Sequence, residues 1–317
     1  MKKRLYIFLL AAAGTIATHR VQAQSPITVQ PSTTQHGPEN GSLIIIGGNV
    51  GSQRDIWDKF TELAGGKDKA KIVVVTAATP GSAKERQAFV ETVKKESGVK
   101  NVVELTIDTH EDANNLRLLS SLKDATGVYF EGGRQWRIAD LYLNTLTHQA
   151  FLDVLKRGGV IAGSSAGASI QGSFLWRGDT KDNYTLIGDH TQGLGFLKNA
   201  AIDQHVLVRN RPFDLVKLIR IAPKLIGIGL DEATAVVVQK DTLEVIGKSY
   251  VEIYDYNTIK KSDSIAVDTH REYAESGGPF FFLSKGQRYD LKNRKVLVDN
   301  RKKKGAASNT PESNSQQ

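Results

Sequence analysis

Short β-branched runs alternate with helix-length segments through the middle of the chain, and this alternation constrains the fold more than any other feature. The first two runs are SLIIIGG at 42–48 and KIVVVTAAT at 71–79, and the segment between them has apolar residues at helical spacing. Continuous apolar runs that end in small residues are typical of strands buried on both faces of a parallel sheet. The pattern predicts an α/β fold with a doubly wound, mostly parallel sheet and helices on both faces.

The alternation continues and predicts one α/β domain over residues 42–290. Further strands are predicted at 101–107, 127–133 and 159–167, and helices at 55–65, 83–97, 112–122 and 137–156. After about residue 240 the runs TLEVIGKSYVEIYDY and PFFFLSKGQRYDL have a period near two. This change predicts antiparallel strands added to the main sheet near the C-terminus.

The first 23 residues have the three parts of a secretory signal peptide. MKKR is a positive n-region, LYIFLLAAAGTIA is an apolar h-region, and VQA is a small-residue cleavage site that ends at Ala23. The apolar run is shorter than the ~20 residues that a membrane-spanning helix needs. We therefore expect cleavage near Ala23/Gln24, a secreted or periplasmic mature protein, and no stable membrane insertion after the signal is removed.

Two further segments are polar and are not expected to form elements of the domain. Residues 24–41 are rich in Pro, Ser and Thr and are predicted to be an extended leader, and residues 301–317 are predicted to be a disordered basic tail. The formal charge of the chain is +8, but basic residues are concentrated in the first 23 residues and at 301–304. The middle of the chain is therefore nearly neutral, which argues against a nucleic-acid partner.

The chain contains no cysteine, and this limits its chemistry. A disulfide framework, a Cys-ligated metal centre and a thiol nucleophile are excluded, so a nucleophile must be an oxygen or a nitrogen. The HExxH and HxxxH patterns of zinc enzymes are also missing from the sequence. We expect no metal site and no cofactor.

The sharpest local signal is a GxSxG motif, GSSAG at 163–167. It directly follows a predicted buried strand and precedes small residues that can open a helix, as a nucleophile elbow requires. Such a turn presents the Ser165 hydroxyl at the carboxyl edge of the sheet, where open α/β folds place their ligands. We expect Ser165 to be a nucleophile and the backbone N–H of Ala166 to stabilise an oxyanion.

A serine nucleophile needs a base, and His205 is the strongest candidate among the seven histidines. It closes an apolar strand-like run, NAAIDQH, whereas the others lie in the signal, the leader, or polar or helical surroundings. A structural histidine is the alternative. Asp231 and Glu232 interrupt two apolar segments in GIGLDEATAVVV, where unpaired carboxylates are costly. Either of them is a candidate to orient His205.

Four ordered motifs resemble those of the cyanophycinases, serine peptidases related to the bacterial aspartyl dipeptidases. They are FEGGRQ at 130–135, GSSAGA at 163–168, DQH at 203–205 with two arginines after it, and GIGLDE at 227–232. The resemblance covers roughly residues 43–240 and implies a fold similar to class I glutamine amidotransferases, with serine in place of their cysteine. It implies a Ser165–His205–Glu232 triad and Gly133 as a second oxyanion donor beside Ala166. It also implies five pocket residues: Gln135, Asp203, Gln204, Arg209 and Arg211.

The resemblance also implies an activity. Cyanophycin is a poly-aspartate whose side chains carry arginine, and the family releases β-Asp-Arg dipeptides from it. The implied partner is a peptide substrate that contains aspartyl residues; a homodimer is one assembly that the sequence allows. In this pocket the arginines would bind carboxylates, and Asp203, Gln204 or Gln135 would bind the guanidinium. The alternative is that these residues form a buried polar network that supports the triad.

Two positions depart from the family pattern. Asp214 stands where the family commonly has an arginine, and Arg134 stands where it commonly has Asp or Asn. Hydrolysis by Ser165 does not depend on either position, but the substrate specificity does. An aspartyl dipeptidase or a broader isoaspartyl peptidase is therefore the first alternative, and a non-catalytic secreted binding protein of the same fold is the second.

Overall fold

The structure of the protein is a computed structural model that describes residues 36–260 and 280–297. The predicted signal peptide at 1–23, residues 24–35 of the predicted leader and the predicted tail at 301–317 lie outside the described residues. The described strands, in chain order, are β1 (Ser42–Ile46), β2 (Lys71–Val75), β3 (Asn101–Glu104), β4 (Gly127–Phe130), β5 (Val160–Ser164), β6 (Gly172–Phe174), β7 (Leu197–Gln204), β8 (Ile226–Leu230), β9 (Thr234–Gln239), β10 (Thr242–Gly247), β11 (Val251–Tyr254), β12 (Phe281–Leu283), β13 (Arg288–Asp290) and β14 (Lys295–Leu297).

Nine of these strands form the larger sheet, in the order β14-β13-β10-β9-β1-β5-β4-β2-β3. The strands from β1 to β3 in this order pair in parallel, while β9, β10, β13 and β14 pair antiparallel. The parallel α/β sheet with antiparallel strands near the C-terminus is thus confirmed. The carboxyl ends of β1, β4 and β5 meet at one edge, because parallel neighbours run in the same direction.

A second sheet of five strands, in the order β12-β11-β8-β7-β6, was not predicted. Its strands β6, β7 and β8 pair in parallel, and β11 and β12 join antiparallel. Two of the late strands therefore belong to this sheet rather than to the main one. A buried apolar run indicates a strand, but it carries no information about the neighbour with which the strand pairs.

The main helices are α1 (Arg54–Leu63), α2 (Ala83–Ser97), α3 (Gln135–Tyr142), α4 (Leu146–Lys156), α5 (Ala166–Ser169) and α6 (Asp214–Ile221). Local chemistry fixes both ends of α2. Ser82 and Glu85 form a capping box at its start, and Gly98 ends it with a left-handed φ of 69°. The predicted helix at 83–97 is confirmed at both boundaries.

The predicted helix at 112–122 is wrong. The structure has two short 3₁₀ segments there, Asp112–Asn114 and Ser120–Leu122. Between them the side-chain oxygen of Asn115 accepts a hydrogen bond from the Arg117 N–H. Such a local side-chain bond offers the backbone an alternative to the helix.

The predicted helix at 137–156 is two helices, α3 and α4. Asn144 lies between them with a left-handed φ of 60°, a conformation that asparagine tolerates better than most residues. Thr145 then caps α4, because its side chain accepts the His148 N–H. The break lets α3 and α4 pack separately on the same face of the larger sheet.

The larger sheet has a buried apolar layer on each face. Ile44 and Ile46 point to the layer that includes α1 and α2, where Trp57 stacks on Tyr129 with ring centroids 5.2 Å apart. Leu43 and Ile45 point to the opposite layer, which includes α3, α4, α5 and the second sheet. Fully burying a side chain of this size contributes about 1.5–3 kcal/mol. The layer beside Leu43 and Ile45 thus packs the second sheet against one face of the larger sheet.

The described chain is packed before β1 begins. The His36 carbonyl oxygen accepts the Lys198 N–H at 2.8 Å, and a Cβ on Gly37 would lie 1.9 Å from the carbonyl oxygen of Lys240. Residues 36–41, the end of the predicted leader, therefore contact the domain. In residues 36–260 and 280–297, no helix is both long enough and apolar enough to cross a bilayer.

Candidate active site

Ser165 occupies the turn between β5 and α5, with a φ of 56° and a ψ of −112° that few L-residues adopt. The turn is tight, and neighbouring backbone atoms leave no room for a side chain at its two glycines. A Cβ on Gly163 would lie 2.1 Å from the carbonyl oxygen of Gly167, and a Cβ on Gly167 would lie 2.4 Å from that of Phe130. The GxSxG spacing thus forms a sharp strand-to-helix turn that presents Ser165 at the sheet edge.

His205 follows β7 and reaches Ser165 from the second sheet. Its Nε2 lies 3.0 Å from Ser165 Oγ, and its Nδ1 lies 2.7 Å from Glu232 Oε1. Glu232 follows β8, which pairs in parallel with β7, so the two side chains leave the same edge of that sheet. Because Nδ1 faces a carboxylate, the proton belongs on Nδ1, and Nε2 is free to accept the proton of the Ser165 hydroxyl.

The two adjacent acids have different partners. Asp231 Oδ1 accepts the Val208 N–H at 3.1 Å, and its Oδ2 accepts the Ser249 hydroxyl at 2.8 Å. Only Glu232 of the pair contacts His205. Asp231 therefore ties together two loops beside the site, and Glu232 is the acid placed to orient His205.

Two residues outside the sequence motifs, Gly48 and Asn49, support His205 and Glu232. Asn49 Nδ2 donates to Glu232 Oε2 at 2.9 Å. A Cβ on Gly48 would lie 2.1 Å from His205 Cε1, so only glycine leaves room for the imidazole. Both residues follow β1 at the carboxyl edge of the sheet. Their position after a buried strand was the only feature of the sequence that could have indicated a role in the site.

The surroundings favour a neutral imidazole and an ionised carboxylate. Burial lowers the pKa of His205 below its ordinary value of 6.5, and the nearby Arg209 lowers it further, although Glu232 opposes the shift. The hydrogen bond from Asn49 lowers the pKa of Glu232 below 4.5, and the contact with His205 acts in the same direction. At neutral pH, His205 can therefore accept a proton and Glu232 can stabilise the resulting charge.

The two expected oxyanion donors follow β4 and β5. A Cβ on Gly132 would lie 3.2 Å from Ser165 Cβ, so this loop passes directly beside the serine. Gly133 has a φ of 141°, and a Cβ on it would lie 2.4 Å from Thr79 Oγ1. In the described part of the chain, the N–H groups of Gly133 and Ala166 donate to no backbone acceptor. Both are therefore available to a developing negative charge.

Two of the expected pocket residues are engaged inside the protein. Gln135 Nε2 donates to the carbonyl oxygens of Trp176 and Arg177 at 3.0 and 2.9 Å. Asp203 accepts from the Arg177 guanidinium and from Trp176 Nε1, each at 3.0 Å. Gln135 and Asp203 are each 1% exposed. The structure thus places them in a buried polar network built on Trp176 and Arg177, which carried no recognisable motif in the sequence.

Of the other three expected pocket residues, Arg209 and Arg211 line a cleft of about 920 Å³. Arg209 is exposed, and its backbone N–H donates to the His205 carbonyl oxygen at 2.9 Å, which puts the cleft beside the base. Arg211 Nη1 donates to the Gln204 carbonyl oxygen at 3.4 Å. Gln204 Oε1 is buried and accepts no hydrogen bond among the described residues. The remaining lining residues are Arg134, Arg177, Asp182, Asn183, Tyr184, Leu186, Asn210, Asp214 and Lys217.

The two departures from the family pattern make contacts within the protein. Asp214 Oδ2 accepts from Arg177 Nη2 at 2.6 Å. Arg134 Nη2 donates to the carbonyl oxygens of Asp179 and Asp182 at 2.5 and 2.8 Å. Both side chains therefore shape the wall of the cleft, and the charge of Asp214 has an internal partner.

A hydroxyl at a strand-to-helix turn, bonded to a histidine that a carboxylate orients, is the arrangement of serine hydrolases. Within the described ranges, no three His, Cys, Asp or Glu side chains are grouped so that they could hold a metal ion. The fold and the geometry together define a serine hydrolase of the α/β class.

The chain belongs to peptidase family S51, whose sequence model matches residues 43–246, and it is a serine-type peptidase. It is 29% identical to the cyanophycinase of Synechococcus elongatus over 300 residues, which cover 92% of each chain. It is 28% identical to that of Trichormus variabilis over 263 residues, 81% of this chain and 87% of the relative. A peptidase from an acI-B1 actinobacterium, known as a crystal structure, shares the fold with a TM-score of 0.58 and 24% identity, over 80% of this chain and 98% of that one. The resemblance to the cyanophycinases is confirmed.

Proposed function

We propose that the protein is a secreted serine peptidase that hydrolyses cyanophycin or related β-aspartyl peptides through an acyl-enzyme. Its products are dipeptides of the β-Asp-Arg type. The observation that carries the proposal is the hydrogen-bonded chain Ser165–His205–Glu232 beside a cleft lined by Arg209 and Arg211. The similarity to two cyanophycinases supports the choice of substrate.

In the first step Ser165 Oγ attacks the scissile carbonyl carbon while His205 Nε2 takes its proton. Glu232 stabilises the imidazolium, since its carboxylate lies 2.7 Å from Nδ1. The N–H groups of Gly133 and Ala166 stabilise the negative charge on the carbonyl oxygen. The imidazolium then protonates the leaving amine, and the acyl group remains on Ser165.

In the second step water takes the place of the amine. His205 removes a proton from the water molecule, whose oxygen attacks the acyl ester. Ser165 leaves and receives the proton back from His205. The same two oxyanion donors serve both steps, because each passes through a tetrahedral oxyanion at the same carbon.

Arg209 and Arg211, which line the cleft, are assigned to bind the carboxylate of the aspartyl residue of the substrate. A guanidinium presents paired donors at the spacing of a carboxylate. Arg209 forms no ion pair with any residue in the described part of the chain, and Arg211 has only a long bond to the Gln204 carbonyl oxygen and a 3.8 Å approach to Asp203.

The proposal is tested by incubating the purified mature protein with cyanophycin, with short β-aspartyl peptides that carry Arg, Lys or Leu, and with α-aspartyl dipeptides. The products are identified by mass. We expect β-Asp-Arg dipeptides from cyanophycin and none from the Ser165→Ala variant. Cleavage of α-aspartyl dipeptides without release from cyanophycin would identify an aspartyl dipeptidase instead. Equal rates on all β-aspartyl peptides would identify a broader isoaspartyl peptidase.

Peptide hydrolysis is expected to fall at low pH with a midpoint below the ordinary histidine value. The neutral form of His205 is the base, and burial lowers its pKa from 6.5, so the neutral form persists to lower pH than in a free histidine. The measurement is kcat/KM from about pH 4.5 to about pH 8. A midpoint at or above 6.5 would contradict the assignment of His205 as the base in this environment.

Secretion is part of the proposal and rests on the sequence of residues 1–23, with its basic start, apolar run and small-residue cleavage site. N-terminal sequencing of the protein expressed in a bacterial host should find a chain that begins at Gln24 outside the cytoplasm. Recovery of the chain only in the cytoplasm, with Met1 retained, would contradict this part of the proposal.

A further inference from the structure

Arg177 lies in the wall of the cleft and connects two charged residues of different elements. Its Nε and Nη2 donate to the two oxygens of Asp203, each at 3.0 Å, and Nη2 also donates to Asp214 Oδ2 at 2.6 Å. Its Nη1 donates to the Asn183 carbonyl oxygen at 3.3 Å. The Arg177 side chain is only 3% exposed. Its donors are therefore committed to the protein, and it has little capacity to bind substrate itself.

The backbone around Arg177 is held as well. Gln135, at the start of α3, donates to the carbonyl oxygens of Trp176 and Arg177. Asp203 accepts from both side chains of the same pair and lies two residues before His205. The helix that follows the oxyanion loop and the strand that carries the base are thus joined through these two residues.

The charges in this network alternate in the order Arg211, Asp203, Arg177, Asp214. Arg211 Nη1 is 3.8 Å from Asp203 Oδ1, well beyond the distances of the Arg177 contacts. Because Arg177 already satisfies Asp203, Arg211 keeps donors for the cleft that it lines. A buried carboxylate that loses its partner is strongly unfavourable. Without Arg177, the nearest cation able to compensate Asp203 is therefore Arg211.

We propose that Arg177 is a positioning residue for substrate binding, whose guanidinium holds Asp203 and Asp214 and thereby leaves Arg211 directed into the cleft. The inference rests on the proposed function, because it takes Arg211 as a ligand of the substrate carboxylate. Loss of Arg177 draws Arg211 onto Asp203 and weakens substrate binding, while the Ser165–His205 contact stays in place.

The first variant is Arg177→Gln. We expect its KM for the best β-aspartyl peptide to rise by about 10-fold or more, since the hydrogen bond of a charged group to substrate is lost. The rate at which a small neutral sulfonyl fluoride labels Ser165 is expected to change by less than about 3-fold, because this reagent needs the triad but no carboxylate site. A merely structural role would change labelling and KM together.

Asp214→Arg supplies the sharper test. Asp203 and Asp214 contact the same nitrogen of Arg177, so a longer side chain at position 214 reaches the place that this guanidinium occupies. Alone, Asp214→Arg puts two cations together and is expected to raise KM. In the double variant Arg177→Gln/Asp214→Arg, the introduced guanidinium faces Asp203 with no competing cation. We expect its KM to return to within about 3-fold of the parent value.

Arg294→Gln is the matched control. Arg294 pairs with the buried Asp255 at 2.7 Å, and neither residue lines the cleft, so the variant removes a comparable ion pair away from the site. We expect its KM to match the parent value. An unchanged KM in Arg177→Gln, or a double variant that is no better than Asp214→Arg, would overturn the inference.

Failure of the proposed function would be seen separately, as a parent enzyme that turns over none of the aspartyl peptides. The same variants then decide the role of Arg177 through protection of Ser165 from labelling by N-acetyl-aspartate. The inference expects protection in the parent and in the double variant but not in Arg177→Gln. Equal protection in all three, or protection in none, would overturn it.

Discussion

Ser165→Ala is expected to lower kcat/KM for β-aspartyl peptides by about 10⁴-fold or more, which is the largest effect of any single substitution in this protein. The acyl-enzyme cannot form without the hydroxyl that lies 3.0 Å from His205 Nε2. The residual rate would come from substrate binding and the oxyanion donors alone. The measurement is kcat/KM, obtained from initial rates over a range of peptide concentrations, with products identified by mass.

Ser169→Ala is the control for this prediction. Ser169 lies in α5 one turn after the elbow, and its buried Oγ has no hydrogen-bond partner among the described residues. Its removal should change kcat/KM by less than about 3-fold, because no bond is lost. A Ser165→Ala variant that retains activity close to that of Ser169→Ala would reject the mechanism.

Glu232→Gln is expected to lower kcat by about 10³–10⁴-fold while the fold is retained. A glutamine amide can donate to His205 Nδ1, which favours the tautomer with its proton on Nε2. That tautomer cannot accept the proton of the Ser165 hydroxyl. The neutral amide also fails to stabilise the imidazolium. Steady-state kinetics at neutral pH, with circular dichroism to confirm folding, measure the loss.

Asp231→Asn is the matched variant, since it makes the same chemical change at the adjacent residue. Asp231 bonds to the Val208 N–H and to the Ser249 hydroxyl rather than to the base. We therefore expect a loss of kcat below about 10-fold, with a modest fall in thermal stability. A larger loss of kcat in Asp231→Asn than in Glu232→Gln would transfer the orienting role to Asp231.

The contact between Ser165 and His205 could be predicted because each residue has a local signal at the end of a strand. Glycines around Ser165 indicate a turn that admits no side chains, and the structure has that turn. His205 directly follows an apolar run, and the two acids follow another. Parallel strands bring such ends to one edge. The choice between Asp231 and Glu232 needed the conformation of the loop, where Ala233 has a φ of 53°.

The polar network could not be predicted from sequence because its partners are far apart along the chain. Arg177 reaches Asp203 and Asp214 from a loop with no motif, and Gln135 is used to hold that loop. A carboxylate or amide that can bind the guanidinium of a substrate can equally bind that of an arginine within the protein. The sequence therefore left open whether Gln135 and Asp203 bind substrate or form an internal network. Burial decides between them here.

The second sheet was missed for a related reason. The run at 251–254 reads as a strand whichever neighbour it has, and the structure pairs it with β8 rather than with the main sheet. This pairing matters for the site, because β7 and β8 of the second sheet carry His205 and Glu232 to the elbow on the first.

The most direct test of the account is the site of covalent modification by a serine-directed fluorophosphonate. After labelling of the mature protein, the tryptic peptide 158–177, which starts after Arg157 and ends with Arg177, is sequenced by mass spectrometry. Sequencing is needed because the peptide contains four serines. We expect one adduct, on Ser165. It should block peptide hydrolysis in proportion to its occupancy, and prior incubation with a β-aspartyl peptide should delay its formation. An adduct on another residue that tracks the loss of activity, or full inhibition with Ser165 unmodified, would contradict it.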